Sequence, residues 1–354
     1  MIYENYKIFT PGPVKMSKEI LEIGSKQTPY FRNKEFSNVL LSCEKNLLEL
    51  LNAPKNSRVI FLTASGTAGL ESVIMNLFSK EDNSIIINGG GFGQRFVDIA
   101  KSYNINYEEK LVTNSNLSNI SKETDAKDFN TFIINAHETS IGHLYDLNAI
   151  GKFCKENNLL NIVDAISMFV TDELDMQKHN IDTVILSSQK GLGLPPGLTM
   201  VVLNEKAISR IQDINSHYFN FKNYLSDGLR GQTPYTPCVT IILQLEARLK
   251  QIIKDGGIES SIKKAKELAF YFRQEIKGLA FKEYTPFMPN AMTTLTPINE
   301  KSATDIVNIL ESDYKIMVCP NGGELKDKIF RVSHMGDMQK SDIDNLVNAL
   351  KKIK

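Results

Sequence analysis

The stretch that decides the fold of this chain is Asp182-Thr-Val-Ile-Leu-Ser-Ser-Gln-Lys-Gly-Leu-Gly-Leu-Pro-Pro-Gly197. Its run of β-branched and apolar residues, 183–186, predicts a short buried strand. Lys190 follows that strand, and the glycines and prolines of 191–197 prevent regular structure from continuing. An amine on partly buried backbone loses its proton more easily than a solvated one, so Lys190 is placed to attack a carbonyl and form an imine. The alternative is a strand-end lysine that points to solvent.

Strands and helices alternate on both sides of this stretch. We predict strands at 58–63, 84–88, 131–136, 160–163, 183–186 and 198–203. Helices are predicted at 17–27, 35–51, 67–79, 92–103 and 147–157. This alternation predicts an α/β fold with a mostly parallel sheet that is covered by helices on both faces. In such sheets, ligands bind beyond the carboxyl ends of the strands.

The pattern changes beyond residue 203. Two long helical stretches, 239–254 and 260–277, lie on either side of Asp255-Gly-Gly257, and shorter strands and helices follow from Ala291 onward. We therefore expect an N-terminal segment at 1–15, a large domain at 16–255 and a smaller C-terminal α/β domain at 256–354.

Composition indicates an ordinary globular protein. The 354 residues are 42% hydrophobic and 23% charged, enough for one large core and a smaller one. Because 41 basic residues balance 41 acidic ones, no nucleic-acid or membrane-surface partner is expected. We see no signal peptide, no membrane-spanning run and no metal-ligand spacing among the histidines. The scattered cysteines fit a reducing compartment, so we expect a cytoplasmic protein.

Two glycine-containing motifs follow predicted strands. In Ala64-Ser-Gly-Thr67, hydroxyls and backbone N–H groups open a helix, where an anion such as phosphate is favoured. The alternative there is a plain helix N-cap. In Asn88-Gly-Gly-Gly-Phe-Gly-Gln-Arg95, the glycines let a ligand approach the backbone, and the ring of Phe92 can stack on a planar cofactor. The alternative is a helix-start turn with Phe92 in the core.

Three further segments carry polar groups at predicted strands. His137-Glu-Thr-Ser-Ile-Gly142 places hydroxyls and a carboxylate after a strand, unless it is only a capping turn. Asp164 closes an apolar strand, where a carboxylate either caps a helix or needs a cationic partner such as a protonated pyridine nitrogen. Arg331 lies within an apolar strand, and its planar fork suits a substrate carboxylate or an internal salt bridge. Together the motifs supply the contacts that pyridoxal phosphate requires.

The ordered set of motifs resembles the class V aminotransferases of the fold-type-I pyridoxal-phosphate enzymes, in particular the alanine/serine–glyoxylate or pyruvate aminotransferases. The matching pieces cover nearly the whole chain: Thr10-Pro-Gly-Pro13, Ala64-Ser-Gly-Thr67, Asn88 to Arg95, Glu138-Thr-Ser140, Val163-Asp164, Ser188-Gln-Lys190, Thr233-Pro-Tyr-Thr-Pro237 and Phe330-Arg-Val-Ser-His-Met-Gly336. The resemblance implies a large domain with a mostly parallel, seven-stranded sheet between helices. This chain departs from the family in its glycine-rich 89–91 and in Tyr30-Phe-Arg32, which replaces a more common His-Arg pair.

The resemblance also implies a role for each site residue. Lys190 bonds the cofactor aldehyde and moves the substrate proton, and Asp164 pairs with the pyridinium nitrogen. Arg331 holds the substrate carboxylate. The remaining cofactor-binding residues are Phe92 and Ile166 on the two ring faces, Thr139 beside the ring, Ser65, Gly66, Thr67 and Gln189 at the phosphate, and Thr236 from the second subunit of an obligatory homodimer.

The implied reaction is a ping-pong transfer of the amino group of alanine or serine to glyoxylate or pyruvate. One alternative is 2-aminoethylphosphonate–pyruvate aminotransfer, which would need a phosphonate-binding cation from among Arg32, Arg95 and Arg331. Another is a lyase or desulfurase, for which Cys319 is the candidate thiol. The last alternative is a non-catalytic protein that binds phosphate ligands, but such a protein would need neither Lys190 nor Asp164.

Overall fold

The computed structural model describes residues 5–353, so the segment predicted at 1–15 and the domain predicted at 256–354 both extend beyond it. Its strands are β1 (Lys7–Ile8), β2 (Arg58–Leu62), β3 (Asn83–Asn88), β4 (Asn106–Leu111), β5 (Thr131–Asn135), β6 (His137–Glu138), β7 (His143–Leu144), β8 (Leu160–Asp164), β9 (Thr183–Ser187), β10 (Thr199–Leu203), β11 (Phe281–Glu283), β12 (Met292–Pro297), β13 (Ile316–Met317), β14 (Cys319–Pro320) and β15 (Phe330–Ser333). Its α-helices are α1 (Lys18–Gly24), α2 (Lys34–Leu50), α3 (Gly66–Leu77), α4 (Gly91–Ser102), α5 (Ile120–Glu123), α6 (Leu147–Glu156), α7 (Glu205–Ser209), α8 (Phe221–Gly228), α9 (Val239–Lys254), α10 (Gly257–Glu275), α11 (Ala303–Tyr314) and α12 (Lys340–Leu350).

A seven-stranded sheet forms the centre of the molecule, with the strand order β2-β10-β9-β8-β5-β3-β4. Strand β10 is antiparallel to both of its neighbours, whereas β9, β8, β5, β3 and β4 pair in parallel. The predicted α/β fold with a mostly parallel, seven-stranded sheet is therefore confirmed.

Successive side chains of the central strands enter two different cores. Ile85 and Ile87 of β3 belong to the core that includes helices α2, α6 and α9. Ile86, between them, belongs to the core on the other face, with helices α3, α4 and α8. Because both faces are covered, the inner strands carry consecutive buried apolar residues rather than an alternating pattern.

The edge strand β4 was not predicted from the sequence. It pairs with β3 along its whole length, and most of its side chains are partly or fully exposed. Its sequence, Asn-Tyr-Glu-Glu-Lys-Leu, is polar because an edge strand faces water, so no apolar run marks it. The short helices α7 and α8 and the β6–β7 hairpin also lie outside the predicted elements.

The C-terminal part forms a second, four-stranded sheet in the order β11-β12-β15-β14. Its apolar core includes Phe272 of α10, Leu310 of α11, Phe330 of β15 and Leu346 of α12. Strand β1 pairs in parallel with β13, and Phe9 enters the same core. The predicted domain boundaries remain a prediction, but residues 7–9 pack with the C-terminal part. No helix among residues 5–353 is long and apolar enough to cross a membrane.

Helix α6 approaches the neighbouring backbone so closely that Gly151 has no room for a side chain. A β-carbon at this position would overlap the carbonyl group of His179. We predict that Gly151→Ala lowers the free energy of unfolding by about 1–3 kcal/mol, although alanine is intrinsically the better helix former by about 1 kcal/mol. Urea unfolding followed by circular dichroism measures the change.

Lys152→Ala is the matched control, because this neighbouring side chain is exposed. It is expected to change the free energy of unfolding by less than about 0.5 kcal/mol. A Gly151→Ala protein as stable as the wild type would contradict the close packing of α6 on the loop at His179.

Candidate active site

Segments that follow β2, β8 and β9 meet at one edge of the central sheet. Gly66 opens α3, and a β-carbon there would lie 2.6 Å from Ile166 Cδ1 and 3.5 Å from Ser187 Cβ. The predicted phosphate-binding turn is therefore next to the loop after β8 and to the end of the strand before Lys190. This edge is the carboxyl end of the parallel strands, where ligands bind in sheets of this kind.

Lys190 is buried, with 9% of its surface exposed. Its amine lies beside Gly12, where a β-carbon would be 2.9 Å from Nζ. Within residues 5–353, no hydrogen bond or ion pair occupies this amine. Burial lowers the pKa of Lys190 to about 8, and the positive charge of Arg331 contributes to the shift. About a tenth of the amine is therefore uncharged and nucleophilic at pH 7, far more than for a solvated lysine.

Asp164 is the last residue of β8 and is buried. Its carboxylate accepts hydrogen bonds from the Ile166 N–H, at 2.9 Å, and from Asn135 Nδ2, at 2.7 Å. Burial raises the pKa of Asp164 to about 6, although both hydrogen bonds favour the charged form. No ion pair reaches this carboxylate from the described residues. A cationic ring nitrogen is the kind of partner that it lacks.

The roles of two supporting residues were not predicted from the sequence. Asn135 pairs with Asp164 in the register of β5 and β8 and binds its carboxylate, a relation that only the strand register could have revealed. Glu138 is fully buried and accepts hydrogen bonds from the backbone N–H groups of Phe92, at 3.1 Å, and Gly93, at 2.8 Å. A carboxylate at the N-terminus of α4 is favoured by the helix dipole, so Glu138 fixes the turn that carries Phe92.

The predicted phosphate-binding residues lie at the N-terminus of α3 and at the end of β9. Ser65 occupies the N-cap position, but its side chain makes no capping hydrogen bond. Gln189 accepts a hydrogen bond from Ser187 Oγ at 2.6 Å. Thr67 Oγ1 accepts one from Arg95 Nη1 at 2.9 Å. An uncapped serine and first-turn N–H groups at a helix N-terminus fit an anion.

Arg331 joins the C-terminal part to the site. Its Nη1 donates to the carbonyl oxygen of Thr139 at 2.9 Å, and its Nη2 donates to that of Pro320 at 2.6 Å. Its Nε is buried without a partner. The internal salt bridge that the sequence allowed is absent among the described residues. The guanidinium is therefore held in position by carbonyl groups while its charge remains uncompensated.

Arg32 and Thr236, both considered in the sequence analysis, are associated with the loop between α8 and α9. Arg32 donates to Gln232 Oε1 at 3.0 Å and to the carbonyl oxygen of Thr233 at 2.6 Å, so it supports the loop between α8 and α9. Thr236 is exposed in that loop. Its predicted contact with the phosphate of a second subunit remains a prediction.

The family of the chain follows from its match to known proteins. The family model described as Aminotransferase class-V matches residues 25–346. The chain belongs to the class V aminotransferases. An uncharacterized aminotransferase of Helicobacter pylori is 30% identical over 336 residues, which span 93% of this chain and 88% of the relative.

Two further similarities concern proteins with named activities. The alanine–glyoxylate aminotransferase of Felis catus is 23% identical, and the match covers 98% of this chain and 87% of the cat protein. The crystal structure of a subgroup IV aspartate aminotransferase from Thermus thermophilus superposes with a TM-score of 0.90 at 22% identity, covering 98% of this chain and 99% of that one. This superposition confirms the predicted fold type I.

Membership makes the protein a pyridoxal-phosphate-dependent transaminase, as the resemblance implied. The chain's own residues fit the cofactor, since Lys190 offers an unpartnered amine, Asp164 an unpaired carboxylate and Ser65 an uncapped helix end. Within residues 5–353, no group of metal-ligating side chains could hold a metal ion.

The hydrogen bond from Asn135 to Asp164 leads to a prediction about ionisation. Since the amide stabilises the charged carboxylate, Asn135→Ala is expected to raise the pKa of Asp164 further above its value of about 6. The loss of one hydrogen bond corresponds to a rise of roughly one pH unit. Carboxyl ¹³C NMR of aspartate-labelled apoprotein measures it, with Asp164→Asn identifying the resonance.

Asn148→Ala, an exposed change on α6, is the matched control and should leave that resonance unchanged. An unaltered titration in Asn135→Ala would mean that Asn135 does not support the charge of Asp164.

Proposed function

We propose that the protein transfers the amino group of alanine or serine to glyoxylate or pyruvate in a ping-pong reaction. The observation that carries the proposal is the arrangement of an unpartnered amine at Lys190, a buried carboxylate at Asp164 and an uncompensated guanidinium at Arg331. The match to the cat alanine–glyoxylate aminotransferase over nearly the whole chain supports this substrate pair.

Each of these side chains has a distinct task in the reaction. Bound pyridoxal phosphate supplies an aldehyde and a ring that withdraws electrons from the substrate carbon. Lys190 would hold the aldehyde, and its Nζ would accept the α-proton of the amino acid. Asp164 would keep the ring nitrogen protonated, and Arg331 would orient the substrate carboxylate. Phe92 and Ile166 would pack on the two faces of the ring.

The distribution of arginines supports a donor with an uncharged side chain. Arg32 is bound to the loop before α9, and Arg95 points toward Thr67 at the phosphate end of the site. Arg331 is then the cation left for the substrate, and its fork suits one carboxylate. A phosphonate or a second carboxylate would need further cations, so 2-aminoethylphosphonate is the weaker candidate donor.

A lyase or desulfurase reaction that uses the thiol of Cys319 receives less support. Cys319 lies opposite Arg331 in the β14–β15 pair, and its thiol is close enough to Lys190 to act on the pKa of that amine, but the sheet fixes its position. A non-catalytic binder of phosphate ligands would need neither the unpartnered amine of Lys190 nor the buried carboxylate of Asp164. Transamination uses both groups.

We expect a homodimer in which Thr236 of each subunit completes the site of the other. The exposed Leu229, near the start of the loop that carries Thr236, supports an interface there, since 74% of its surface is accessible. A large apolar side chain at such a position is stabilised when a second surface covers it. The cytoplasmic location remains a prediction.

Lys190→Ala is expected to abolish transamination, because the variant lacks the amine that would hold the aldehyde and take the proton. Borohydride treatment followed by peptide mass spectrometry should find the cofactor fixed to residue 190 in the wild type and nowhere in the variant. Since only the uncharged amine reacts, capture of the cofactor by apoprotein should slow about tenfold for each pH unit below the pKa of about 8.

Lys178→Ala is the control for this experiment, since that lysine is exposed and pairs with Glu173. It should retain full turnover and full labelling. Turnover in Lys190→Ala within about tenfold of the wild type, or a label on another lysine, would refute the assigned role.

A donor panel tests the substrate proposal. Alanine, serine, aspartate, phosphoserine and 2-aminoethylphosphonate are each paired with glyoxylate and with pyruvate. We expect the best kcat/KM for alanine or serine, at least about tenfold above the anionic donors, because a dianionic donor would leave one charge unpaired. A higher value for 2-aminoethylphosphonate would favour phosphonate aminotransfer instead.

Arg331→Lys, assayed with the best donor, shows where the substrate carboxylate binds. The ammonium group cannot form the two-pronged pair, so KM should rise about 10–100-fold while kcat changes less. Arg210→Lys is the control, since Arg210 pairs with Asp82 just before the amino end of β3. An unchanged KM in Arg331→Lys would place the carboxylate elsewhere.

A further inference from the structure

Arg95 is a cation at the phosphate end of the site without an acidic partner. It lies on α4, and its Nη1 donates to Thr67 Oγ1 at 2.9 Å. Its guanidinium carbon lies 4.9 Å from the ring centroid of Phe92. Within residues 5–353, no carboxylate forms an ion pair with it. The other N–H groups of the planar guanidinium are therefore available to a ligand.

The predicted phosphate site needs such a charge. A phosphate monoester carries roughly −1.5 to −2 charges at neutral pH, whereas a helix N-terminus offers only about half a positive charge. The other predicted ligands, Ser65, Gly66, Thr67 and Gln189, are neutral. A dianion held by neutral groups in a partly buried site is unfavourable unless a cation is close.

Lys190 and Arg331, the other two cations of the site, have other assigned tasks. Lys190 is needed for the aldehyde, and Arg331 is held by the carbonyl groups of Thr139 and Pro320. Burial is the main cause of the lowered pKa of Lys190, but the positive charge of Arg95 also contributes to it. The field of the Arg95 guanidinium therefore reaches the same site.

We propose that Arg95 binds the phosphate of the cofactor together with Thr67, and that it holds the ring of Phe92 in place at the same time. Because Thr67 Oγ1 accepts from Arg95, its own O–H is free to donate to a phosphate oxygen. One face of the Phe92 ring packs on the guanidinium, so the opposite face of that ring is left for the cofactor ring. The inference rests on the proposed placement of the cofactor at Lys190.

A comparison of two ligands tests the proposal. Apoprotein is titrated with pyridoxal phosphate and with pyridoxal, which has the same ring and aldehyde but no phosphate, and binding is followed by absorbance. Arg95→Met should weaken the binding of pyridoxal phosphate about 10–100-fold and leave that of pyridoxal within about twofold, because methionine still packs against the Phe92 ring while the phosphate contact is lost. Arg95→Lys should recover part of the affinity, since it keeps the charge but not the fork.

The control is Lys101→Met, which removes a positive charge from an exposed position of the same helix and should change neither affinity. Inorganic phosphate should compete with pyridoxal phosphate in the wild type and much less in Arg95→Met. If Arg95→Met weakens the binding of both ligands equally, Arg95 acts only through the packing of Phe92. If the affinity for both ligands is unchanged, Arg95 has no role in binding. Either result overturns the proposal.

Borohydride labelling separates this proposal from the proposed function. If Arg95→Met binds pyridoxal phosphate as the wild type does, and residue 190 is still labelled in both, only the role of Arg95 is refuted. If the wild type itself carries no label on residue 190, the placement of the cofactor is wrong, whatever Arg95 does.

Discussion

The burial of one amine and one carboxyl group at the same sheet edge, without an ion pair between them, is the constraint on which the site depends. Burial lowers the pKa of Lys190 and raises that of Asp164, so both groups are driven toward their neutral forms. A direct pair would relieve both, but it would also keep the amine protonated and unreactive. Among residues 5–353, the fold leaves both groups without an ion-pair partner. A ligand with a carbonyl at one end and a basic ring nitrogen at the other would supply a partner for each of them.

How far the fold could be predicted depends on which strands are buried. Strands such as β8 and β9 are covered on both faces, so their middle residues form short apolar runs that indicate strands on their own. Strand β4 has the same length as β3 but lies at the edge, and Glu108, Glu109 and Lys110 carry no apolar signal. The resemblance to a seven-stranded family implied a seventh strand, but periodicity did not show where it lies in the chain.

The site could be predicted where a residue follows directly from a strand end, as Lys190 and Asp164 do. The residues that support Lys190 and Asp164 could not be predicted from the sequence. Asn135 binds Asp164 across 29 positions of sequence, and Glu138 binds the backbone at Phe92 across 46. Such contacts depend on strand order and register, which local patterns do not contain. The sequence could not show which arginine is free to bind a substrate either, because the arginines differ in the groups that they contact in the folded protein.

The N-terminal residues and Arg331 show that the site belongs to both parts of the chain. Strand β1 pairs with β13 in the C-terminal part, and a few residues later Gly12 lies against the amine of Lys190. Arg331, from β15, reaches the carbonyl of Thr139 in the large part. Both the residue that covers the reactive amine and the predicted carboxylate fork are thus anchored on the C-terminal part. Any displacement of that part relative to the central sheet would therefore move Gly12 and Arg331 together, and it would change the surroundings of Lys190 at the same time.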